Sequence, residues 1–472
     1  MNAMTYRGRR QALRQSIDGG AILLPGNTDA SRNYAANIYP FRQDSCFLYY
    51  AGVDHPGLAL LIMPDGEEIL FGPEPHPDDV IWSGPQPGLD DFARAAGIDR
   101  HASVDGLADV LSVLAGGGAT VHHPPPYRAA GKLHLAAWLG TDPAAAAGGF
   151  SADLVAAVVA QREIKTEEEI AEIELAIGVS AMMYQIALHN ARPGLREAQI
   201  GGAMRGVALA HDMQTSFPPI VTVRGEVLHN ETYPNTLEEG QLLLVDSGVE
   251  TARRYCSDIT RTLPVGGVYS PKQREIYEVV LGAQRAAIET AGPGVANRDV
   301  HLAAARAVAE GLVGVGLMRG DPAEAVAAGA HALFFPHGIG HMLGLDVHDM
   351  ENLGENAVGY GPGDARSDQF GLNYLRLAKT LRPGFVITIE PGVYFIPALI
   401  DRWSADRRHE DFIDYPAVAK YRGFGGIRIE DDLLVTEEGR RVLGPPIPKT
   451  VEDVELAMDW SGSAGDDAPQ GA

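Results

Sequence analysis

Cysteine is scarce in this chain. Cys46 and Cys256 are the only two cysteines among 472 residues, so a disulfide framework of the kind found in small secreted domains is excluded. A single disulfide is the most that the chain could form. Because thiols stay reduced in the cytosol, this usage favours a protein of a reducing compartment.

Long hydrophobic runs are also absent. No stretch of about 18 apolar residues occurs, so we expect neither a transmembrane helix nor a membrane partner. The first residues, MNAMTYRGRRQALRQ, lack the apolar segment of a secretory signal. Together with the scarcity of cysteine, these features predict a cytoplasmic protein.

Positive charge is in deficit. The sequence has 38 lysines and arginines against 62 aspartates and glutamates, a formal net charge of −24. Proteins that bind nucleic acid need basic surfaces to contact phosphates, so nucleic acid is excluded as a main partner. Apolar residues make up 45% of the chain, enough for packed cores, and the length predicts about two to four domains.

Residues 1–160 are predicted to form an α/β domain. Segments 20–26 and 58–73 have the apolar content and the Gly and Pro boundaries of strands. Segment 105–118 has the pattern of a helix that ends in glycines.

A second domain is predicted for residues 161–450. It opens with a helical pattern in which Thr166 and Glu169 have the spacing of a capping box, and Arg192-Pro193-Gly194 ends that helix. Further on, helical patterns lie between two strand-rich regions, 240–265 and 383–436. Residues 451–472 are predicted to be a tail whose small, polar end, SGSAGDDAPQGA, is disordered.

Two acidic residues lie on neighbouring strand-like runs. Asp246 is part of LLLVDSGV, and Asp258 follows twelve positions later in YCSDITRTLPV. A short connection predicts a hairpin, in which the two carboxylates could face one another across the ladder. Like charges so placed repel unless a cation lies between them.

Two further acids lie on apolar strand-like runs. Glu390 is in FVITIEPGVY, and GGIRIEDD places Arg428 and Glu430 on one face. Buried acids are costly unless they are paired or bind metal. Four carboxylates and a histidine form a hard, oxygen-rich ligand set, which suits Mn(II) or a similar ion better than a closed zinc site.

Three histidines are concentrated in FPHGIGHMLGLDVHD, at positions 337, 341 and 348. His337 and His341 are four apart, but residue 338 is glycine, so the zinc-protease motif HExxH, which needs glutamate there, is excluded.

These segments resemble the pita-bread metallopeptidases, specifically the branch of aminopeptidase P and prolidase. HGIGHMLGLDVHD, TIEPGVY and GGIRIEDD are similar to the signature segments of that family, and YPFRQDSCFLYYAGVDHPG resembles its N-terminal domain. The resemblance implies an α/β N-terminal creatinase-type domain followed by an α+β C-terminal pita-bread catalytic domain.

The resemblance also implies a site for two divalent metal ions, with Mn(II) expected and Co(II) or Zn(II) as alternatives. Asp246 and Glu430 would bridge the two ions. Asp258 would complete one site, while His341 and Glu390 would complete the other. Glu390 would also handle the proton of the bridging water.

Roles for other side chains follow from the same resemblance. His337 and His348 would be catalytic, contacting the substrate or the tetrahedral intermediate. His229, in GEVLHNETY, and Arg428 would contact substrate. The alternative for His337 and His348, as core histidines, remains open.

The activity implied is that of an Xaa-Pro aminopeptidase, which hydrolyses the bond between an N-terminal residue and a following proline, so proline-containing peptides are the expected partners. The alternative is a prolidase, an Xaa-Pro dipeptidase, in which Arg376 would anchor the dipeptide carboxylate. A more remote alternative is a metal-free or binding-only pita-bread protein. Relatives with this N-terminal domain are usually dimers or tetramers, so we expect a homodimer.

One spacing departs from the family pattern. The two aspartates are twelve apart here, whereas the family commonly has eleven. We expect the extra residue in the 249–255 turn, where it would change nothing essential. Within a strand it would turn Asp258 to the wrong side unless a bulge restored it.

Overall fold

The chain folds into two units. The computed structural model describes residues 1–74 and 78–459. One unit comprises Met1–Glu163 and Met350–Val358, and the other begins at Ile164 and resumes after Val358. The chain thus passes from the first unit to the second between Glu163 and Ile164, and the return of 350–358 to the first unit is a feature that the sequence did not predict. The predicted disordered end, from residue 461, lies outside the described residues.

The first unit contains a five-stranded mixed sheet flanked by helices. The sheet order is β4-β3-β2-β1-β5, with β3–β4 and β1–β5 parallel and the other pairs antiparallel. Its strands are β1 (Ala21–Pro25), β2 (Ala59–Ile62), β3 (Glu68–Gly72), β4 (Arg100–Ser103) and β5 (Val121–His122). Its helices are α1 (Ala3–Ser16), α2 (Ser45–Ala51), α3 (Asp79–Ser83), α4 (Leu89–Ala96), α5 (Leu107–Gly116), α6 (Ala129–Leu139), α7 (Pro143–Gly148) and α8 (Ala152–Arg162).

The core of this unit lies between the sheet and its helices. Leu23, Leu61 and Phe71 of the strands pack against Leu107 and Leu135 of α5 and α6. The central strands read as nearly continuous apolar runs because they are buried on both faces.

The second unit is built from short antiparallel sheets and long helices. Its strands are β6 (Gln214–Thr215), β7 (Ile220–Thr222), β8 (Leu242–Ser247), β9 (Val249–Glu250), β10 (Ile259–Pro264), β11 (Val386–Ile389), β12 (Gly392–Tyr394), β13 (Gly426–Arg428), β14 (Asp431–Thr436) and β15 (Gly439–Val442). They form sheets in the orders β10-β8-β7, β11-β14-β15, β12-β13 and β6-β9.

The helices from residue 164 onward are α9 (Glu167–Asn190), α10 (Glu197–Ala210), α11 (Pro271–Thr290), α12 (Asn297–Gly314), α13 (Pro322–Ala328), α14 (Glu355–Gly359), α15 (Pro397–Ala405), α16 (Tyr415–Val418) and α17 (Val451–Ala457). The region 383–436 is therefore not strand throughout, because α15 and α16 occupy its middle. Pro397 starts α15, and the Asp414 side chain caps α16, which explains why helices begin there.

Helix α9 begins at the predicted capping box, in which the Thr166 side chain and the Glu169 carboxylate satisfy each other's backbone N–H groups. Among the described residues, α9 is the one helix long and apolar enough to cross a membrane, with half of that apolar window buried in the protein. Its buried face packs against α10, β9 and α17, as a core helix does.

Neither cysteine forms a disulfide. Cys46 in the first unit and Cys256 in the second are both free and buried.

Candidate metal centre

The strands β8 and β10 form the predicted hairpin, with Thr260 opposite Asp246. The pairing continues unshifted as far as the bridge at Cys256, so the extra residue lies in the tip, 251–255, and not within a strand. Asp258 is two residues before Thr260, and its side chain therefore emerges on the same face as that of Asp246.

Glu430 is brought to this hairpin by a direct connection to β10. The backbone N–H of Glu430 donates to the Thr260 carbonyl at 3.0 Å, and the Thr260 hydroxyl donates to Glu430 Oε2 at 2.6 Å. The acid that follows β13 thus lies beside the two aspartates, although the segments are far apart in sequence.

The histidine segment lies along β11. The backbone N–H of His341 donates to Thr388 Oγ1 at 3.1 Å, and the N–H of Thr388 donates to the His341 carbonyl at 3.0 Å. A side chain at Gly340 would place its Cβ 2.0 Å from the Thr388 carbonyl oxygen, so this close approach requires glycine. Glu390, at the end of the same strand, is fixed by its N–H, which donates to the Ile339 carbonyl at 2.8 Å.

Asp258, His341 and Glu430 offer ligand atoms that all lie within 4.8 Å of one another. His341 Nε2 is 3.4 Å from Asp258 Oδ2 and 3.8 Å from Glu390 Oε1. The other ring nitrogen, Nδ1, is 3.0 Å from the Met342 carbonyl, which leaves Nε2 directed at the carboxylates.

The aspartates have oxygens that fit a cation. Asp246 Oδ1 and Asp258 Oδ1 are buried, and neither has a hydrogen-bond donor within the part of the chain that the structure describes. A buried carboxylate oxygen without a donor is costly, and a divalent ion would satisfy it. The residues present therefore fit a metal centre.

The carboxylates oppose one another electrostatically. Burial, and then the neighbouring charges of Asp246, Asp432 and Glu390, raise the pKa of Asp258 well above its usual range. Burial and the charge of Asp258 likewise raise the pKa of Glu430. This concentration of buried negative charge favours cation binding.

The two aspartates differ in their distance from the histidine ligand. Asp258, not Asp246, shares a cluster with both His341 and Glu430. Asp258 and Glu430 would therefore hold an ion together with His341, while the predicted role of Asp246 as a further ligand stays a prediction.

Arg428 holds Asp246 in place. Its Nη2 donates to the Asp246 carboxylate, its Nη1 to the Tyr394 hydroxyl at 3.0 Å, and its Nε to Thr260 Oγ1 at 3.2 Å. Each guanidinium nitrogen thus contacts a protein oxygen, and Arg428 also lines the cavity, so its predicted substrate contact stays a prediction. The residue supports a metal ligand, a contact that β-strand alternation alone could not reveal.

His337 is linked to the same network through Tyr394. Burial raises the pKa of Tyr394 to about 12, so its hydroxyl stays protonated and can donate to His337 Nε2 at 2.9 Å. Burial, followed by the charge of Arg428, lowers the pKa of His337 to about 3, so the ring is neutral. Tyr394 was missed from the sequence; its only signal is its place on the strand that follows Glu390.

The other two predicted histidines lie at the same cavity. The ring of His348 lies 4.0 Å, centroid to centroid, from the ring of His341. His229 is exposed at the cavity wall, and partial burial, followed by the charges of Arg428 and Arg376, lowers its pKa.

The cavity above the cluster has a volume of about 570 Å³. Arg376 lines this cavity. Burial raises the pKa of Glu390, and the charge of Arg376 offsets only part of that increase. Apolar wall residues that the sequence did not single out complete the lining: Phe217, Pro218, Ile220, Leu228, Pro336 and Val347.

Comparison with known families decides the assignment. Residues 171–437 match the model of metallopeptidase family M24, and residues 6–122 match the aminopeptidase P N-terminal domain. The chain belongs to metallopeptidase family M24. This membership confirms the predicted fold class, with an N-terminal aminopeptidase P-type domain and a C-terminal pita-bread domain, and identifies a metal-dependent hydrolase.

Relatives of this M24 protein include both kinds of proline-specific exopeptidase. It is 33% identical to a probable Xaa-Pro aminopeptidase of Fusarium vanettenii, covering 91% of this chain and 90% of the relative. It is 31% identical to the Xaa-Pro dipeptidase of Homo sapiens, with coverage of 93% and 89%. Among solved structures, the Pseudomonas aeruginosa aminopeptidase PepP matches with a TM-score of 0.80 at 29% identity, covering 98% and 99%.

Proposed function

We propose that this protein is an Xaa-Pro aminopeptidase, which hydrolyses the bond between an N-terminal residue and proline. The observation that supports this proposal most directly is the cluster of Asp258, His341 and Glu430, which lies at a cavity lined by three further histidines. Similarity to the Fusarium enzyme and to aminopeptidase PepP supports the substrate class.

The ligands proposed are Asp246, Asp258, His341, Glu390 and Glu430, holding two divalent ions. When bound, such ions supply an activated water and stabilise the oxyanion that forms on the substrate carbonyl. The oxygen-rich ligand set favours Mn(II), with Co(II) and Zn(II) as alternatives. Reconstitution of metal-free protein with each ion, followed by metal content and activity, tests this choice: two Mn(II) ions per chain are expected, and a single tightly held ion contradicts the proposal.

Glu390 is the proposed proton acceptor. Its carboxylate is more exposed to solvent than those of Asp258 and Glu430, and burial raises its pKa above the usual value. Its Oε2 lies 3.9 Å from His337 Nδ1, so a proton taken at this oxygen stays next to a polar neighbour. A base with an elevated pKa at the cavity wall is suited to accept a proton and return it to the leaving amine.

Prolidase is the second candidate, because Arg376 lines the cavity and could bind a dipeptide carboxylate. One of the relatives is an Xaa-Pro dipeptidase, whereas the Fusarium relative and the solved structure are aminopeptidases, which favours the first candidate. The test compares an Xaa-Pro dipeptide with an Xaa-Pro-Yaa-Zaa tetrapeptide, using wild type, Arg376→Ala and, as control, Arg298→Ala on an exposed position of α12.

An aminopeptidase should cut the tetrapeptide at least as well as the dipeptide, with little effect of Arg376→Ala. Cleavage of the dipeptide alone, with a sharp rise in KM for Arg376→Ala but not for the control, would make the protein a prolidase. Cleavage of neither peptide by the metal-loaded enzyme would overturn both candidates.

We also propose a cytoplasmic homodimer. The first unit exposes apolar side chains that a second copy could cover, with Ile81 71% and Trp82 84% exposed. Two free, buried cysteines fit a reducing compartment. Light scattering at working concentration should give the mass of two chains, and a monomeric mass would count against the proposal.

A further inference from the structure

One buried carboxylate forms hydrogen bonds to both ends of the loop that carries His229. Glu197 is fully buried in the first turn of α10. Its Oε1 accepts a hydrogen bond from the Val223 N–H at 2.8 Å, and its Oε2 accepts one from the Asn235 N–H at 3.0 Å. These two donors are the first and last residues of the segment 223–235, here called the His229 loop.

Further hydrogen bonds join Glu197 to the C-terminal end of the loop. The Asn235 side-chain amide lies 3.0 Å from Oε1 and 3.1 Å from Oε2 of Glu197, and the Glu197 N–H donates to the Asn235 carbonyl at 3.1 Å. Both carboxylate oxygens are therefore engaged, and their partners are all residues of the His229 loop. Glu197 is not one of the residues assigned to the metal centre.

Within the His229 loop, the chain packs against β13, the strand that ends at Arg428. A Cβ on Gly225 would lie 2.6 Å from the Gly426 carbonyl oxygen, so the two backbones are in close contact. Asn230 Nδ2 donates to Thr222 Oγ1 at 2.9 Å. Between these anchors, Leu228 and His229 line the cavity.

We propose that Glu197 is a positioning residue for peptide substrate, acting through the His229 loop. Its carboxylate holds both ends of the loop, so that Leu228 and His229 occupy the cavity wall before substrate arrives. Fixing a binding loop in advance removes the cost of ordering it on binding. This inference rests on the proposed function, because the loop matters to catalysis only if the cavity binds the peptide.

The test is Glu197→Gln, which keeps the shape but replaces one accepting oxygen with an amide nitrogen. That nitrogen would face an N–H group at one end of the loop and leave it without an acceptor. We expect KM for the Xaa-Pro peptide to rise about tenfold, with kcat changed less than about twofold and metal content unchanged. A milder variant, Asn235→Ala, keeps the carboxylate and should raise KM by a smaller factor.

Glu169→Gln is the matched control. Glu169 is also a buried carboxylate in the first turn of a helix, where it accepts hydrogen bonds from Thr166, but it does not line the cavity. It should lose stability to a similar extent without the rise in KM. Equal changes in KM for both variants, or a fall in kcat with constant KM, would overturn a positioning role.

A double-mutant cycle with His229→Ala completes the test. If Glu197 acts through His229, then Glu197→Gln should add little to the KM of the His229→Ala enzyme, whereas additive effects would refute the link. Hydrogen exchange of residues 223–235 gives a readout independent of activity. Faster exchange in Glu197→Gln is expected, and unchanged exchange overturns the inference. If wild type cuts no Xaa-Pro peptide, the proposed function fails, whereas faster exchange would still establish the anchor.

Discussion

Lys165 Nζ lies 2.8 Å from Asp349 Oδ2, and each side chain is only 1% exposed. Asp349 directly follows His348, and its N–H donates to the Met342 carbonyl at 2.9 Å. The same carbonyl is 3.0 Å from His341 Nδ1. This buried ion pair therefore fixes the turn that presents both histidines to the cavity.

Replacing Asp349 with asparagine should destabilise the protein by about 3–5 kcal/mol, because the buried Lys165 ammonium would lose the carboxylate that lies 2.8 Å from it. Urea denaturation of the metal-free protein measures the loss. The double variant Lys165→Met/Asp349→Leu removes both charges and should recover most of the stability. If the double variant is as unstable as Asp349→Asn, the loss of stability comes from removing the ion pair and not from the Lys165 charge that Asp349→Asn leaves behind.

Replacing Arg428 with lysine should weaken metal binding about 10–100-fold, because one ammonium cannot engage Asp246, Tyr394 and Thr260 together. Titration with Mn(II), followed by electron paramagnetic resonance of the free ion, measures the change. The control is Arg298→Lys, at an exposed position of α12. Unchanged affinity in Arg428→Lys would mean that Asp246 is held without the guanidinium.

Replacing Asp258 with asparagine should have opposite effects on metal binding and on the stability of the metal-free protein. Burial and neighbouring carboxylates raise the pKa of Asp258, so at pH 8 its charge costs stability when no ion is present. We expect the variant to lose bound metal, yet to be about 1–2 kcal/mol more stable in the presence of a chelator. Metal content and chemical denaturation give both numbers, and a less stable chelated variant would contradict this account.

Stability should fall below pH 6.5 because of two histidines outside the metal centre. Burial lowers the pKa of His301 to about 3 and that of His331 to about 4, and none of their ring nitrogens has a hydrogen-bond partner among the described residues. Since the unfolded chain binds these protons near pH 6.5, the free energy of unfolding decreases as pH falls from 6.5 towards 4. Each histidine should contribute a loss of about 2 kcal/mol by pH 5.

The measurement is denaturation at several pH values for wild type and His301→Leu, which should show a shallower decline. Val308→Ala, a buried apolar change on the same helix, should shift the curve downward without altering its slope. An unchanged slope in His301→Leu would show that other groups cause the acid sensitivity.

Much of the framework could be predicted from local patterns. The capping box at Thr166 and the hairpin carrying Asp246 and Asp258 depend on residues close in sequence, and both are present in the structure. Spacing within GGIRIEDD likewise gave the shared face of Arg428 and Glu430. These features follow from periodicity and capping, which a single sequence displays.

The rest depends on contacts between distant segments. Tyr394 reaches His337 and Arg428, and Glu197 reaches both ends of the His229 loop, but neither residue has a local pattern that names its partner. Alternation places Arg428 on a face but does not say what lies opposite it. The closeness of Asp258 to His341 has the same origin, because it depends on the approach of β11 to the hairpin.

The unshifted register of β8 and β10 has a consequence for recognising such sites. Because the tip at 251–255 absorbs the additional residue, the number of residues between Asp246 and Asp258 can change while their shared face does not. A search pattern that demands a fixed interval would pass over this chain. The pair is identified by its place on one continuous ladder. One aspartate lies two positions from the residue that is paired with the other aspartate, so both carboxylates share a face.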